Sequence, residues 1–148
     1  MNKYYLAVDI GASSGCHILG HMDNGIMKLE EVYRFENGME KRNGHLCWDI
    51  KKLFQEIKNG LIECKKLNKI PVSMGVDTWG VDFVLLDEKD EILGETIGYR
   101  DHRTNGMDDL VYQIISEEEL YKRTGIQRQL FNTIFQLMAI KQEHPEHL

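Results

Sequence analysis

The sequence predicts an α/β fold in which a mixed sheet, an antiparallel three-stranded meander joined by one parallel strand, is flanked by helices. Three observations predict it. Two runs with strand character flank Asn24-Gly25, the strongest short hairpin signal because both turn positions require positive φ. The apolar spacing then changes from period two to the helical period between Asp49 and Lys66. A short apolar run opened by Pro71 follows that helix, and a crossover of this kind returns the chain parallel to the first strand.

The elements follow in order. Tyr4 to Ile10 is apolar apart from Asp9 and is ended by Gly11, which suits a strand buried on both faces. Cys16 to Met22 is the second strand. The third begins near Ile26, with Met27, Leu29, Tyr33 and Phe35 expected on one face and Lys28, Glu30 and Arg34 on the other. Asn37-Gly38 and Asn43-Gly44 mark turns before a short extended piece, His45 to Trp48. The helix from Asp49 to Lys66 presents Ile50, Leu53, Phe54, Ile57, Leu61 and Cys64 on one side, with Asp49 as N-cap and Trp48 stapling onto Leu53. Gly60 in its interior costs about 1 kcal/mol relative to Ala. After the strand Val72 to Asp77, the runs Val81 to Leu86 and Ile92 to Tyr99 read as a hairpin around a charged turn. Helices follow: one around Met107 to Ile115, a second opened by the capping box Ser116-x-x-Glu119 and closed by Gly125, and a third from Thr133 stopped by Pro145.

Composition bounds the function. With 42% hydrophobic and 28% charged side chains the chain has a globular make-up, and one core is expected. A net charge of -6 argues against nucleic acid as a partner, since phosphate backbones demand clustered Lys and Arg. Three cysteines without a C-x-x-C pair suggest neither a disulfide framework nor a zinc site, and fit a reducing cytoplasm. No stretch is long enough for a signal peptide or a membrane span.

A carboxylate at the end of a buried strand is expensive to ionise without donors or a cation, so Asp9 demands an explanation. Either it orients Mg²⁺ through water while Ala12, Ser13, Ser14 and Gly15 let backbone N–H groups approach a phosphate, or it caps its own turn by accepting from residues 11 and 12. Gly11-Ala12-Ser13-Ser14-Gly15 lacks the Lys of a P-loop and the spacing of G-x-G-x-x-G. Val76-Asp77-Thr78-Trp79-Gly80 echoes Val8-Asp9-Ile10-Gly11: both place a carboxylate at the end of an apolar strand just before a glycine. His17 and His21 stand about 13 Å apart on a strand, too far for a shared metal.

Ala7 to Gly15 resembles the opening of the rhamnulokinases of the FGGY carbohydrate kinase family, within the actin-like ATPase superfamily of ribonuclease H-like fold. Gly75 to Asp87, Tyr99 to Gly106 and the Tyr121-x-x-Thr124-Gly125-Ile126-Gln127 segment resemble the same group. The resemblance implies a two-domain ketose kinase, of which residues 1–148 are the N-terminal part of the first domain. It implies that ATP and Mg²⁺ are bound, that Gly11, Ala12, Ser13, Ser14, Gly15 and Cys16 line the phosphates, that Asp9 holds magnesium through water, and that Gly80 lies against the sugar. The sugar implied is L-rhamnulose, phosphorylated at its 1-hydroxyl. The catalytic base is expected beyond Leu148, so no catalytic residue is assigned within the chain. Where the family carries Arg, this sequence has Cys16, and a cation that would face the phosphates is missing.

Several residues carry two readings. Asp77 either bonds sugar hydroxyls or fixes the Thr78–Gly80 turn. Asp82 is either near the sugar or a buried acceptor, Trp79 packs or stacks on sugar, and Tyr99, Arg100 and Arg103 either approach the sugar or form salt bridges. The alternatives at the level of function are a non-catalytic actin-like module that binds a nucleotide or a partner, and a kinase of a related ketose such as L-fuculose or xylulose. Apolar faces left uncovered in this stretch are expected to promote self-association.

Overall fold

The computed structural model describes residues 3–148, which divide into two compact units, residues 3–38 with 49–80 and residues 39–48 with 81–148.

The first unit is a sheet of four strands, in the order Ile26–Glu36, Ser14–Asp23, Tyr4–Ile10 and Pro71–Thr78, with one long helix. Strands β1 (Tyr4–Ile10), β2 (Ser14–Asp23) and β3 (Ile26–Glu36) form the expected antiparallel meander, with Asn24 and Gly25 both at positive φ in the turn. Helix α1 (Ile50–Lys66) starts at Asp49, whose side chain accepts from the Lys52 amide at 2.8 Å, and Lys65 and Lys66 complement the dipole at its end. The chain then returns in β6 (Pro71–Thr78), parallel to β1. Leu6, Val8, Ile10, Leu19 and Phe35 line the face that α1 covers through Leu53 and Cys64. Phe54, assigned by spacing to the buried side of this helix, is exposed, with Lys58 over its ring.

Strand β3 departs from simple alternation. Its pairing with β2 slips between His17 and Ile18, which oppose Tyr33 and Glu31 and leave Val32 as an extra residue. A bulge of this kind exchanges the two faces of the strand beyond it. Met27 and Leu29 therefore lie on the face opposite Tyr33 and Phe35, and Arg34 joins Met27 and Leu29 rather than Lys28 and Glu30.

Gly60 sits where α1 crosses the sheet. A Cβ added there would lie 2.1 to 2.4 Å from the ring of His17, which is fully buried. The glycine thus makes room for an imidazole, and its unfavourable propensity is the cost of that close approach. Neither His17 nitrogen meets a hydrogen-bonding partner among the described residues, although Tyr33 packs edge-on at 5.5 Å.

In the second unit β4 (Glu40–Arg42) and β5 (His45–Cys47) form a hairpin around Asn43-Gly44, both at positive φ. The expected hairpin between Val81 and Tyr99 reduces to a single bridge, Leu86 to Ile92. Asp87 closes its turn by accepting from the amides of Lys89 and Glu91, but residues 96–98 pair with the β5 region instead: Cys47 bridges Ile97, Trp48 donates to the Thr96 carbonyl, and Gly98 donates to that of Leu46. Helices α2 (Met107–Tyr112), α3 (Glu117–Thr124) and α4 (Thr133–Glu143) complete the unit. Ser116 caps α3 by accepting from Glu119, and Gly125 ends it at a φ of 67°. Cys47, Trp48, Val111, Phe135 and Ala139 are buried in this unit.

Candidate functional site

The loop that joins β1 to β2 is braced from its neighbour. The Gly11 amide donates to the Ser14 carbonyl at 2.9 Å, the Asn37 amide donates to the Ser13 carbonyl at 3.0 Å, and the Asn37 side chain donates to the Gly11 carbonyl at 2.9 Å. These three bonds fix the bend and engage the Gly11, Ser13 and Ser14 carbonyls. The amides of Ala12 and Ser13 are left with no acceptor among the described residues. Asp9 does not cap the turn either, because the Gly11 amide is committed to Ser14, and the carboxylate has no hydrogen-bonding partner among the described residues. Gly15 is small for another reason: a Cβ there would stand 2.2 Å from the Phe35 ring, so that glycine serves packing under α1.

Register sets a line of side chains across the sheet at this level. Arg34 pairs with Cys16, Cys16 with Asp9, and Asp9 with Asp77, so all four point from the face opposite α1. The echo between the two strand-end aspartates is therefore a physical juxtaposition at the C-terminal ends of parallel β1 and β6, about 5 Å apart at their backbones. Two carboxylates that leave one face at neighbouring strand ends suit a hard divalent ion, which takes oxygen ligands. Asp77, like Asp9, has no hydrogen-bonding partner among the described residues. A shallow depression of about 770 Å³ runs along the same face, lined by Tyr5, Ala7, Asp9, Gly20, Met27 and Asp77 among others. The donor set, an acidic pair beside free backbone amides, fits magnesium and a polyphosphate.

The Arg34 guanidinium is forked onto Glu31, with Nε donating to Oε1 at 2.9 Å and Nη2 to Oε2 at 2.5 Å, while Nη1 reaches the Ser14 hydroxyl at 3.5 Å. Residues three apart on a regular strand face opposite ways, so this pair exists because of the bulge between them. The ion pair holds the Glu31 carboxyl below its ordinary range.

The residues expected near the sugar fall in both units. In the first, Trp79 is partly buried and packs against the sheet core, and Gly80 follows it with open space where a side chain would stand. In the second, Asp82 accepts from the Trp48 indole at 2.7 Å, which ties its carboxylate to a buried ring. Tyr99 meets the edge of Phe131 at 5.9 Å and carries the Arg100 guanidinium 5.2 Å over its face. Arg103 donates to Gln136 at 2.8 Å. Val81, a β-branched residue, is held at a φ of +69°, and its carbonyl accepts from Thr133 and Gln136 at 3.2 Å.

Three residues escape a reading of the sequence, the first two of them at this loop. Asn37 has the look of an ordinary Asn-Gly turn, and only its partners show that it braces the loop. Arg34 has no signal of its own, since its direction depends on the bulge. Asp101 is the third. Burial would raise its carboxyl, but the His45 imidazole at 2.9 Å and the Leu46 and Arg103 amides at 2.8 Å outweigh burial and hold it below the usual range. Its signal was Asp-x-Arg ahead of a helical turn, a capping pattern.

The sequence profile described as FGGY family of carbohydrate kinases, N-terminal domain, matches residues 4–148. The chain is 53% identical over 144 residues to a rhamnulokinase of Halalkalibacterium halodurans, covering 97% of this chain and 31% of that protein. It is 45% identical over 139 residues to a rhamnulokinase of Bacillus subtilis, covering 94% of this chain and 29% of that protein. The chain thus spans less than a third of the curated relatives it matches. Among solved structures, a xylulose kinase from Rhodospirillum rubrum superposes with a TM-score of 0.81 at 19% identity, covering 98% of this chain and 30% of that one. A gluconate kinase from Lactobacillus acidophilus gives 0.79 at 18%, covering 99% and 30%. The fold is the actin-like α/β fold of these sugar kinases, and no helix among the described residues is long and apolar enough to cross a membrane. By the match of its family profile and the identity of its relatives, the chain belongs to the FGGY family of carbohydrate kinases.

Proposed function

We propose that this chain supplies the phosphate-binding end of an ATP-dependent kinase that phosphorylates L-rhamnulose at its 1-hydroxyl. In that reaction the sugar oxygen forms a bond to the γ-phosphorus, the bond from that phosphorus to the β–γ bridging oxygen breaks, and ADP leaves. The hydroxyl proton passes to a base that the family resemblance puts beyond Leu148. One observation carries the proposal: among the described residues the Ala12 and Ser13 amides, in a loop braced by Asn37, have no acceptor, and Asp9, on the strand that leads into that loop, has no hydrogen-bonding partner.

Each group has a task. The two amides orient and bind phosphate oxygens, and Asp9, with Asp77 beside it, holds magnesium through water. Magnesium, when bound, neutralises charge on the transferring phosphates. Catalysis of phosphoryl transfer is mostly positioning and charge stabilisation, which explains why a site of amides and acids can serve without a nucleophile of its own. Gly80, Trp79, Asp77, Asp82, Tyr99 and Arg100 are the sugar-facing candidates. The choice of sugar rests on the rhamnulokinases at 45% to 53% identity.

An ADP-release assay tests this. A protein extended to the length of its relatives is expected to release ADP in proportion to added L-rhamnulose, and residues 1–148 alone are expected to release none. Preference for L-fuculose or xylulose would overturn the sugar assignment. ATP binding without sugar-dependent release would favour the non-catalytic module.

A further inference from the structure

The site contains a cation that its loop sequence lacks. We propose that Arg34, on the strand next to the loop, meets the nucleotide's phosphates from its place beside Cys16. This inference rests on the kinase reading above.

Four observations converge on it. Arg34 and Cys16 are cross-strand partners, so the two side chains leave the same face at neighbouring points. The Val32 bulge is what puts Arg34 on that face, since without it the guanidinium would point to the α1 side with Lys28 and Glu30. The fork onto Glu31 fixes the planar group through Nε and Nη2 and leaves Nη1 aimed at the Ser14 hydroxyl. At 3.5 Å that last contact is at the limit of a hydrogen bond, so a phosphate oxygen arriving at Ser14 displaces little. The side chain is about half exposed, 54%, and so accessible to a ligand.

The line across the sheet gives the arrangement its direction. Asp9 and Asp77 end it with two negative charges and Arg34 begins it with one positive charge, separated from Asp9 by two strand spacings, about 10 Å. That is the span of a phosphate chain with its metal at one end and a guanidinium at the other. Arginine suits the position because its five N–H donors let it hold Glu31 and still offer donors to phosphate. The competing account is a surface ion pair with Glu31, which contributes little to anything.

Steady-state kinetics of the full-length protein separate the two. Arg34→Gln is expected to raise KM for MgATP by about tenfold or more, and to weaken inhibition by inorganic tripolyphosphate by the same factor. KM for the sugar and the thermal midpoint stay unchanged. Cys16→Arg in the Arg34→Gln background restores most of the lost ATP affinity, and has a smaller effect when Arg34 is present. Should the Cys16 variants fail to fold, Arg34→Lys takes their place, with an intermediate KM for MgATP expected from a retained charge without the fork. An enzyme that phosphorylates the sugar with unchanged KM for MgATP and unchanged tripolyphosphate inhibition in Arg34→Gln overturns this proposal and leaves the kinase reading standing. A lowered thermal midpoint with both KM values raised equally also overturns it, as a structural role. No sugar-dependent turnover by the unsubstituted protein removes both.

Discussion

The two faces of the four-stranded sheet are made by the same strands and do different work. Under α1, Leu6, Val8, Ile10, Leu19 and Phe35 are buried, and every small residue there is small because something packs on it: Gly15 under Phe35, Gly60 over His17. On the other face Tyr5, Met27 and Leu29 are about half exposed or more, and the polar residues Arg34, Asp9 and Asp77 stand in one line. One face tolerates almost no change of volume, while the other turns its polar groups outward, Arg34 forked onto Glu31 and Asp9 and Asp77 without a hydrogen-bonding partner among the described residues. The lesson is that alternation along a strand lets stability and chemistry be set independently, and that the β3 bulge decides which residues belong to which role.

That contrast is breakable. Replacing Gly60 by Ala should destabilise the chain by about 1–3 kcal/mol, because overpacking against the His17 ring outweighs the roughly 1 kcal/mol gained in helix propensity. Urea unfolding measures it; a stabilised Gly60→Ala would show that the helix and sheet are not packed this closely. A smaller effect is the pH dependence of His17. Burial pushes its pKa below the ordinary 6.5, and the nearby Glu56 charge offsets this only in part. The folded state therefore prefers the neutral ring, so this contribution to stability is present above about pH 6.5 and is lost as pH falls below it. His17→Leu should flatten the stability curve in that window, and an unchanged slope would contradict the burial of an unpaired imidazole. The smallest effect belongs to the other face: Leu29→Lys should shift stability by no more than about 0.5 kcal/mol. It should also reduce any concentration-dependent shift of residues 1–148 in size-exclusion chromatography, because the exposed apolar face is the expected source of self-association.

What the sequence made legible was whatever is encoded within a few residues. Asp49 and Ser116 announce their helices through bonds to the third residue on, and Asn24-Gly25 announces its turn through φ alone. The strand pairing of residues 92–99 was not legible in this way. Ile97 has equal β character whether it faces Val81 to Leu86 or Cys47, and the choice is made by packing around Trp48 and Gly98, whose absent Cβ admits Met39. The candidate site divides similarly. Asp9 and the small loop residues show themselves by chemistry out of place at a strand end, whereas Asn37, Arg34 and the pairing of Asp9 with Asp77 depend on register between distant segments, and a one-residue slip reverses all of them.

Whether the Asp9 loop is the phosphate-binding end can be seen in a crystal of the protein soaked with ADP and magnesium. The diphosphate is expected against the Ala12 and Ser13 amides, with the metal's water shell on the Asp9 carboxylate. Nucleotide bound elsewhere, with that carboxylate turned onto its own backbone and the two amides occupied by protein, would contradict it.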